Sequence, residues 1–100
     1  MSVQTRRYYV YILASRKYGV LYIGVTSNLV SRIHKHRTKC YQGFTNKYLT
    51  YRLVHYEIYG EISMAIQREK NLKKWNRQWK LNLINKTNPP WKDLYYELYG

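Results

Sequence analysis

Two short runs dense in Tyr, Val, Ile and Leu, residues 8–13 and 20–26, are separated by six residues that include Gly19. Aromatic and β-branched side chains favour strands, and so short a polar connection makes the two runs a hairpin. The pattern changes at Ser27. Ser27 or Asn28 can cap a helix, and Leu29 and Ile33 begin an apolar stripe that continues to about Thr38.

Residues 40–47, with Gly43, read as a loop. Tyr51, Leu53, Val54, Tyr56, Ile58 and Tyr59 then form a third strand stopped by Gly60. Glu61 to Trp75 is the clearest helix, with Ile62, Ala65, Ile66, Glu69 and Leu72 on one face and Arg68, Lys70, Lys73 and Lys74 mostly on others. Asn76-Arg77 interrupts it. A third helix carries Trp79, Leu81, Leu83 and Ile84 and closes at Thr87-Asn88, where Pro89-Pro90 removes two backbone donors. The expected fold is α+β, β-β-α-β-α-α, with a small three-stranded, mainly antiparallel sheet flanked by helices. One hundred residues suit one domain, spanning 1–100, with a core over about 6–90 and an aromatic tail, 91–100, packing back on it.

Charge narrows the partners. Eighteen Lys plus Arg against five Asp plus Glu give +13, and no acid precedes Glu57. That imbalance points to a polyanion, nucleic acid in preference to an anionic membrane. No stretch approaches the roughly 20 apolar residues that a membrane-crossing helix needs. Cys40 is the one cysteine, which excludes an intrachain disulfide and a cysteine zinc cluster and fits a reducing, cytoplasmic setting.

Five carboxylates scattered after residue 56 do not suit a two-metal nuclease, whereas a one-metal mechanism needs one acid plus waters and phosphate oxygens. Glu69 is the candidate, because an acid on an apolar stripe must be paired, protonated or metal-bound. An ion pair with a neighbouring Lys or Arg is the plain alternative. Glu57, Glu61, Asp93 and Glu97 are expected to face solvent or cap elements. Arg32 and His36, four residues apart, share one face of the first helix and join a phosphate-binding fork to a proton shuttle, or else form a solvated basic face. His34 points elsewhere, and His55 is a packed or exposed strand residue. Thirteen tyrosines crowd the chain, and the bland reading is that they pack the sheet. Tyr22 shares its strand face with Gly24, which marks either a close backbone approach or a weak point in the strand.

Taken in order, Tyr9-Val10-Tyr11, Leu21-Tyr22-Ile23-Gly24, Asn28-Leu29 through Arg32 to His36, Ala65 through Arg68-Glu69-Lys70 to Trp75, and Asn88-Pro89 with Trp91 resemble the GIY-YIG endonuclease superfamily, in particular its small stand-alone bacterial members. Two positions depart from the pattern: Tyr9 stands where the first motif has glycine, and Val25 where some repair nucleases carry lysine.

The resemblance implies an endonuclease hydrolysing phosphodiester bonds with one Mg²⁺ or Mn²⁺ on Glu69. Tyr11 and Tyr22 would be the paired motif tyrosines, Arg32 the phosphate-binding arginine, His36 the first-helix residue that is His or Tyr in relatives and Asn88 a late active-site residue, with His36 or Tyr11 assisting Tyr22. Lys35, Arg37, Lys39, Lys47 and Lys73, with Arg32, would bind nucleic acid, DNA rather than RNA, in the cytoplasm or on the nucleoid. Low sequence specificity is expected, with a role in repair or recombination and targeting supplied by DNA structure or a protein partner. The competing expectation is a non-enzymatic nucleic-acid binder on a degenerate nuclease fold.

Overall fold

In a computed structural model, residues 6–41 and 52–99 are described, with side chains through 37 in the first segment and through 98 in the second. Strands β1 (Tyr8–Ala14) and β2 (Leu21–Thr26) form the hairpin, followed by α1 (Leu29–Tyr41), β3 (Arg52–Tyr59), α2 (Ile62–Lys74), α3 (Arg77–Thr87) and a 3₁₀ segment, Leu94–Tyr99. α1 takes in Cys40 and Tyr41, where a loop was expected; residues 42–47 and Tyr51 lie outside the described residues.

The sheet order is β2-β1-β3, and both pairings are antiparallel. Strand alternation therefore splits central β1 between two cores. Val10, Ile12 and Ala14 join Ile23, Val54, Ala65, Leu72, Ile84 and Trp91 on the side covered by α2 and α3. Tyr11 and Leu13 join Leu29, Ile33, Leu53 and Tyr95 under α1 and the 3₁₀ segment. Each such burial of a large aliphatic side chain contributes about 1.5–3 kcal/mol, so β1 anchors both layers. Pairing with β3 shifts between Ile12, opposite His55, and Leu13, opposite Leu53. Val54 is the extra residue of this bulge, which lets Val54 and His55 both serve the α2/α3 side.

Local chemistry places the helix ends. The Asn28 side chain accepts from Ser31 N at 3.1 Å and begins α1. Asn76 accepts from Trp79 N at 2.9 Å and begins α3 after the extended Trp75 ends α2. On α2 the buried strip is narrower than the hydrophobic spacing predicts. Ala65 and Leu72 are buried, but Ile62 and Ile66 are exposed, as is Met64. A three-stranded sheet offers the helix too little surface to cover a wide stripe.

The final residues pack as structure rather than trailing. Trp91 is fully buried at φ 56°, and its indole N–H donates to Asn85 Oδ1 at 2.7 Å. Asp93 was expected to face solvent or cap an element. It accepts from Tyr95 N and from Leu53 N, each at 3.1 Å, so it caps the 3₁₀ segment and holds β3 as well.

Candidate active site

The site begins with a missing side chain. Gly24 on β2 lies opposite Tyr11 on β1, and a Cβ at Gly24 would sit 2.5 Å from Tyr11 Cζ and 3.0 Å from its Cε1. The Tyr11 ring fills the space that any other residue at 24 would need. Of the two readings of this glycine, close approach is the one realised.

Tyr22 lies two residues earlier on the same face of edge strand β2, 44% exposed, with its ring centroid 6.3 Å from that of Tyr11. From α1, the His36 ring meets Tyr22 edge-on at 5.1 Å, while Arg32, one turn earlier, is exposed. Glu69 arrives from α2, which packs against β1 and β2; its carboxylate is largely buried and lies 3.3 Å from Lys73 Nζ. Thus Glu69 has the ion-pair partner expected of the plain alternative, at the same place where the other groups gather.

The electrostatics of Tyr11 record that gathering. Burial pushes its pKa up first, the Tyr22 charge pushes it further, Arg32 opposes, and Glu69 and the hydrogen bond to Tyr22 add to the rise, to about 12. Tyr11 therefore keeps its proton and acts as a hydrogen-bond donor. The remaining roles fall to a solvent-facing phenol with an imidazole at its edge, a guanidinium and one carboxylate. Such a set can bind a phosphate, move a proton and hold a cation.

Does this donor set fit a divalent ion? Among the described residues no group of three or more His, Cys, Asp or Glu is close enough to share a metal. Glu69 would be the single protein carboxylate, which suits Mg²⁺ or Mn²⁺ keeping most ligands as water and phosphate oxygen. Lys73 would have to release the carboxylate oxygen it now faces.

Not every expected site residue joins this group. Asn88 is 5% exposed and ends α3. Its amide donates to Val54 O at 3.1 Å and Lys92 O at 2.8 Å, and its carbonyl accepts from Lys92 N at 3.1 Å. These bonds clamp the chain after α3 onto β3. Arg37 also departs from expectation. Its guanidinium pairs with Asp93 and lies 4.1 Å from the Tyr95 ring centroid, so it is spent on the fold rather than presented to nucleic acid. Lys35 is exposed, whereas the Lys39 side chain and Lys47 lie outside the described residues.

Glu57 corrects the expectation of a solvent-facing or capping acid. On the α2/α3 side it accepts from Arg68 Nε at 2.9 Å and Nη2 at 3.0 Å and from Tyr59 Oη at 2.8 Å, and it meets His55 Nε2 at 2.8 Å. Burial by itself would raise its pKa, but the hydrogen bonds from His55, Arg68 and Tyr59 bring it down to about 2. His55, buried, also contacts Thr87 Oγ1 at 3.3 Å. Period-two spacing of His55, Glu57 and Tyr59 was the signal that they share a face.

Fold and side-chain cluster together make a small α+β domain with a three-stranded antiparallel sheet. Residues 7–82 match the GIY-YIG catalytic domain, and the chain belongs to the GIY-YIG family. It is 38% identical over 82 residues to a UPF0213 protein of Syntrophus aciditrophicus, covering 81% of this chain and 92% of that one. A UPF0213 protein of Clostridium perfringens is 38% identical over 77 residues, covering 77% and 82%. The solution NMR structure of a UPF0213 protein from Bacillus halodurans is similar with a TM-score of 0.55 and 29% identity, over 87% of this chain and 92% of that chain. Membership in this family supports nuclease activity on a nucleic-acid substrate. Among the described residues no helix is long and apolar enough to cross a membrane.

Proposed function

We propose that the protein is a metal-dependent endonuclease that hydrolyses phosphodiester bonds, in DNA rather than RNA, with low intrinsic sequence specificity. The observation that carries this reading is that Tyr22, Arg32 and Glu69, from β2, α1 and α2, all act electrostatically on Tyr11 of β1, with the His36 ring against that of Tyr22.

Glu69 would hold one Mg²⁺ or Mn²⁺, which supplies Lewis acidity to the scissile phosphate when bound. Arg32, exposed on α1, binds the phosphate and stabilises charge as it builds up in the transition state. Tyr22 takes the proton of the attacking water; its exposure gives water access, and His36 orients the ring and receives the proton onward. Tyr11, kept neutral by its raised pKa, is hydrogen-bonded to Tyr22 and so holds it in place. Asn88 serves indirectly, by fixing α3 and the chain beyond it against β3.

The test is cleavage of labelled single-stranded, duplex and branched DNA with Mg²⁺ or Mn²⁺. Glu69→Ala is expected to abolish metal-dependent cutting, and Tyr22→Phe to lower it by at least about a hundredfold, the contribution typical of a positioned general base. Undiminished cutting by Glu69→Ala would remove the metal role. Binding without cutting by the wild-type protein on every substrate would favour the non-enzymatic binder.

A further inference from the structure

A second surface, outside the cluster around Gly24, has the chemistry to take an unpaired base. Trp75, at the end of α2, and Trp79, on α3, stand edge to face at 86° with centroids 5.9 Å apart. With Asn82, Leu83 and Lys86 they line one open groove. Residues 79, 82, 83 and 86 follow the spacing of one helix face, so this is a continuous strip of ring, amide, aliphatic and cation. Trp79 is 55% exposed, a large cost in apolar surface left to water for a residue that only packs. Trp75 is held from behind by the Arg68 guanidinium, 5.1 Å from its centroid, and Arg68 is in turn fixed by Glu57.

Charge selects the occupant. Lys86 lines the groove with no acid beside it, and from Lys70 to Lys92 the chain has seven Lys or Arg and no acid, Lys73 and Lys92 pairing with Glu69 and Glu97 outside that stretch; this is a poor surface for a basic protein segment and a good one for a phosphate backbone. Trp75 lies six residues beyond Glu69, about 9 Å along the helix axis at 1.5 Å per residue. We infer that the Trp75/Trp79 groove stacks an unpaired base of the substrate strand a few nucleotides from the bond cut at Glu69, so that the preferred substrate has a single-stranded segment beside the cleavage point. This rests on the nuclease reading for its position, and on the groove alone for binding.

The two parts are separable by measuring binding without divalent metal, where nothing is cut. Fluorescein-labelled dT12, rU12 and a 12-base-pair duplex are titrated with wild-type protein, Trp79→Ala and Trp79→Phe, each checked for an unchanged circular dichroism spectrum. Stacking is worth about 1–3 kcal/mol per base, so Trp79→Ala is expected to weaken binding of the single strands by roughly five- to a hundredfold. Trp79→Phe should restore most of the loss, duplex affinity should change by less than about twofold, and wild-type tryptophan emission should be quenched by the single strands. Equal single-strand affinity in Trp79→Ala, or equal losses on duplex and single strand, would overturn the inference even if cleavage is robust. Selective loss on single strands sustains the groove even if no substrate is cut, in which case the nuclease reading is what fails.

Discussion

At the scale of single residues, Gly24 and Tyr11 act as one unit. Gly24→Ala would drive a methyl group into the buried Tyr11 ring, which has no flexible end to yield. Overpacking of this kind costs about 1–3 kcal/mol, so urea unfolding should register that loss while cleavage falls by at least about tenfold. An unaltered variant on both measures would mean that the ring shifts freely. Glu57 makes a different prediction. Its carboxyl titrates far below the value of about 4.3 for an unperturbed Glu. The stability it adds is therefore complete above that value and is lost as pH falls from there through about 2. Glu57→Gln should lower stability by about 1–3 kcal/mol at neutral pH and flatten the acid limb of the stability profile. A wild-type acid limb kept intact in this variant would assign acid unfolding to other groups.

At the scale of elements, the hairpin and α3 hold each other. Arg77 Nη2 donates to Tyr18 O at 2.6 Å and Gly19 O at 2.8 Å, and Asn85 donates to Tyr18 Oη at 3.3 Å. Tyr18 has φ 60°, in the region that disfavours side chains, and its ring packs, tilted at 52°, with its centroid 5.0 Å from that of Trp91, which has φ 56°. Two residues with unfavourable backbone thus brace one another, and such conformations persist only where surrounding contacts over-determine them. Removing the charge-assisted donor in Arg77→Ala should cost about 1.5–3 kcal/mol by urea unfolding. Asn88→Ala leaves two backbone carbonyls and one N–H without their side-chain partner and should cost at least as much. Below its melting transition, cleavage per folded molecule should stay within about threefold of wild type, because Asn88 acts on the chain path and not on the phosphate. A hundredfold loss in folded Asn88→Ala would return it to the reacting group.

At the scale of the whole molecule, +13 on one hundred residues makes ionic strength the dominant variable in substrate binding. Neutralising about five phosphates of a duplex gives a log–log salt slope near −4.5, or roughly a five-hundredfold loss of affinity between 50 and 200 mM salt. Affinity that hardly responds to salt would remove electrostatics as the source of binding. Strands, helices and the β1–β2 hairpin were legible in the chain because each is a short-range property: side-chain period, an Asn at a helix start, a Gly or Pro at an end. The sheet order β2-β1-β3 was not, because it pairs β1 with a strand far along the chain. From residue types and spacing alone only Arg32 and His36 could be grouped, on one helix face; the rest were separate candidates until the resemblance joined them. Glu69 was equally consistent with an ion pair to a neighbouring Lys or Arg, such as the one to Lys73 that the molecule contains.

By itself, then, the sequence determined the element order and pointed to a polyanionic partner, because composition and local spacing suffice for these, whereas Tyr11, Tyr22, Arg32, His36 and Glu69 became candidates for one site through the resemblance. Tertiary structure alone decided which of them meet. It brought Glu69 within electrostatic reach of Tyr11, held Arg37 and Asn88 in structural bonds, and turned Glu57 from an expected surface acid into the centre of a network. The physical reason is that burial and pairing depend on what lies opposite. The Arg68 partner of Glu57 and the Asp93 partner of Arg37 lie 11 and 56 positions away, separations no local pattern encodes.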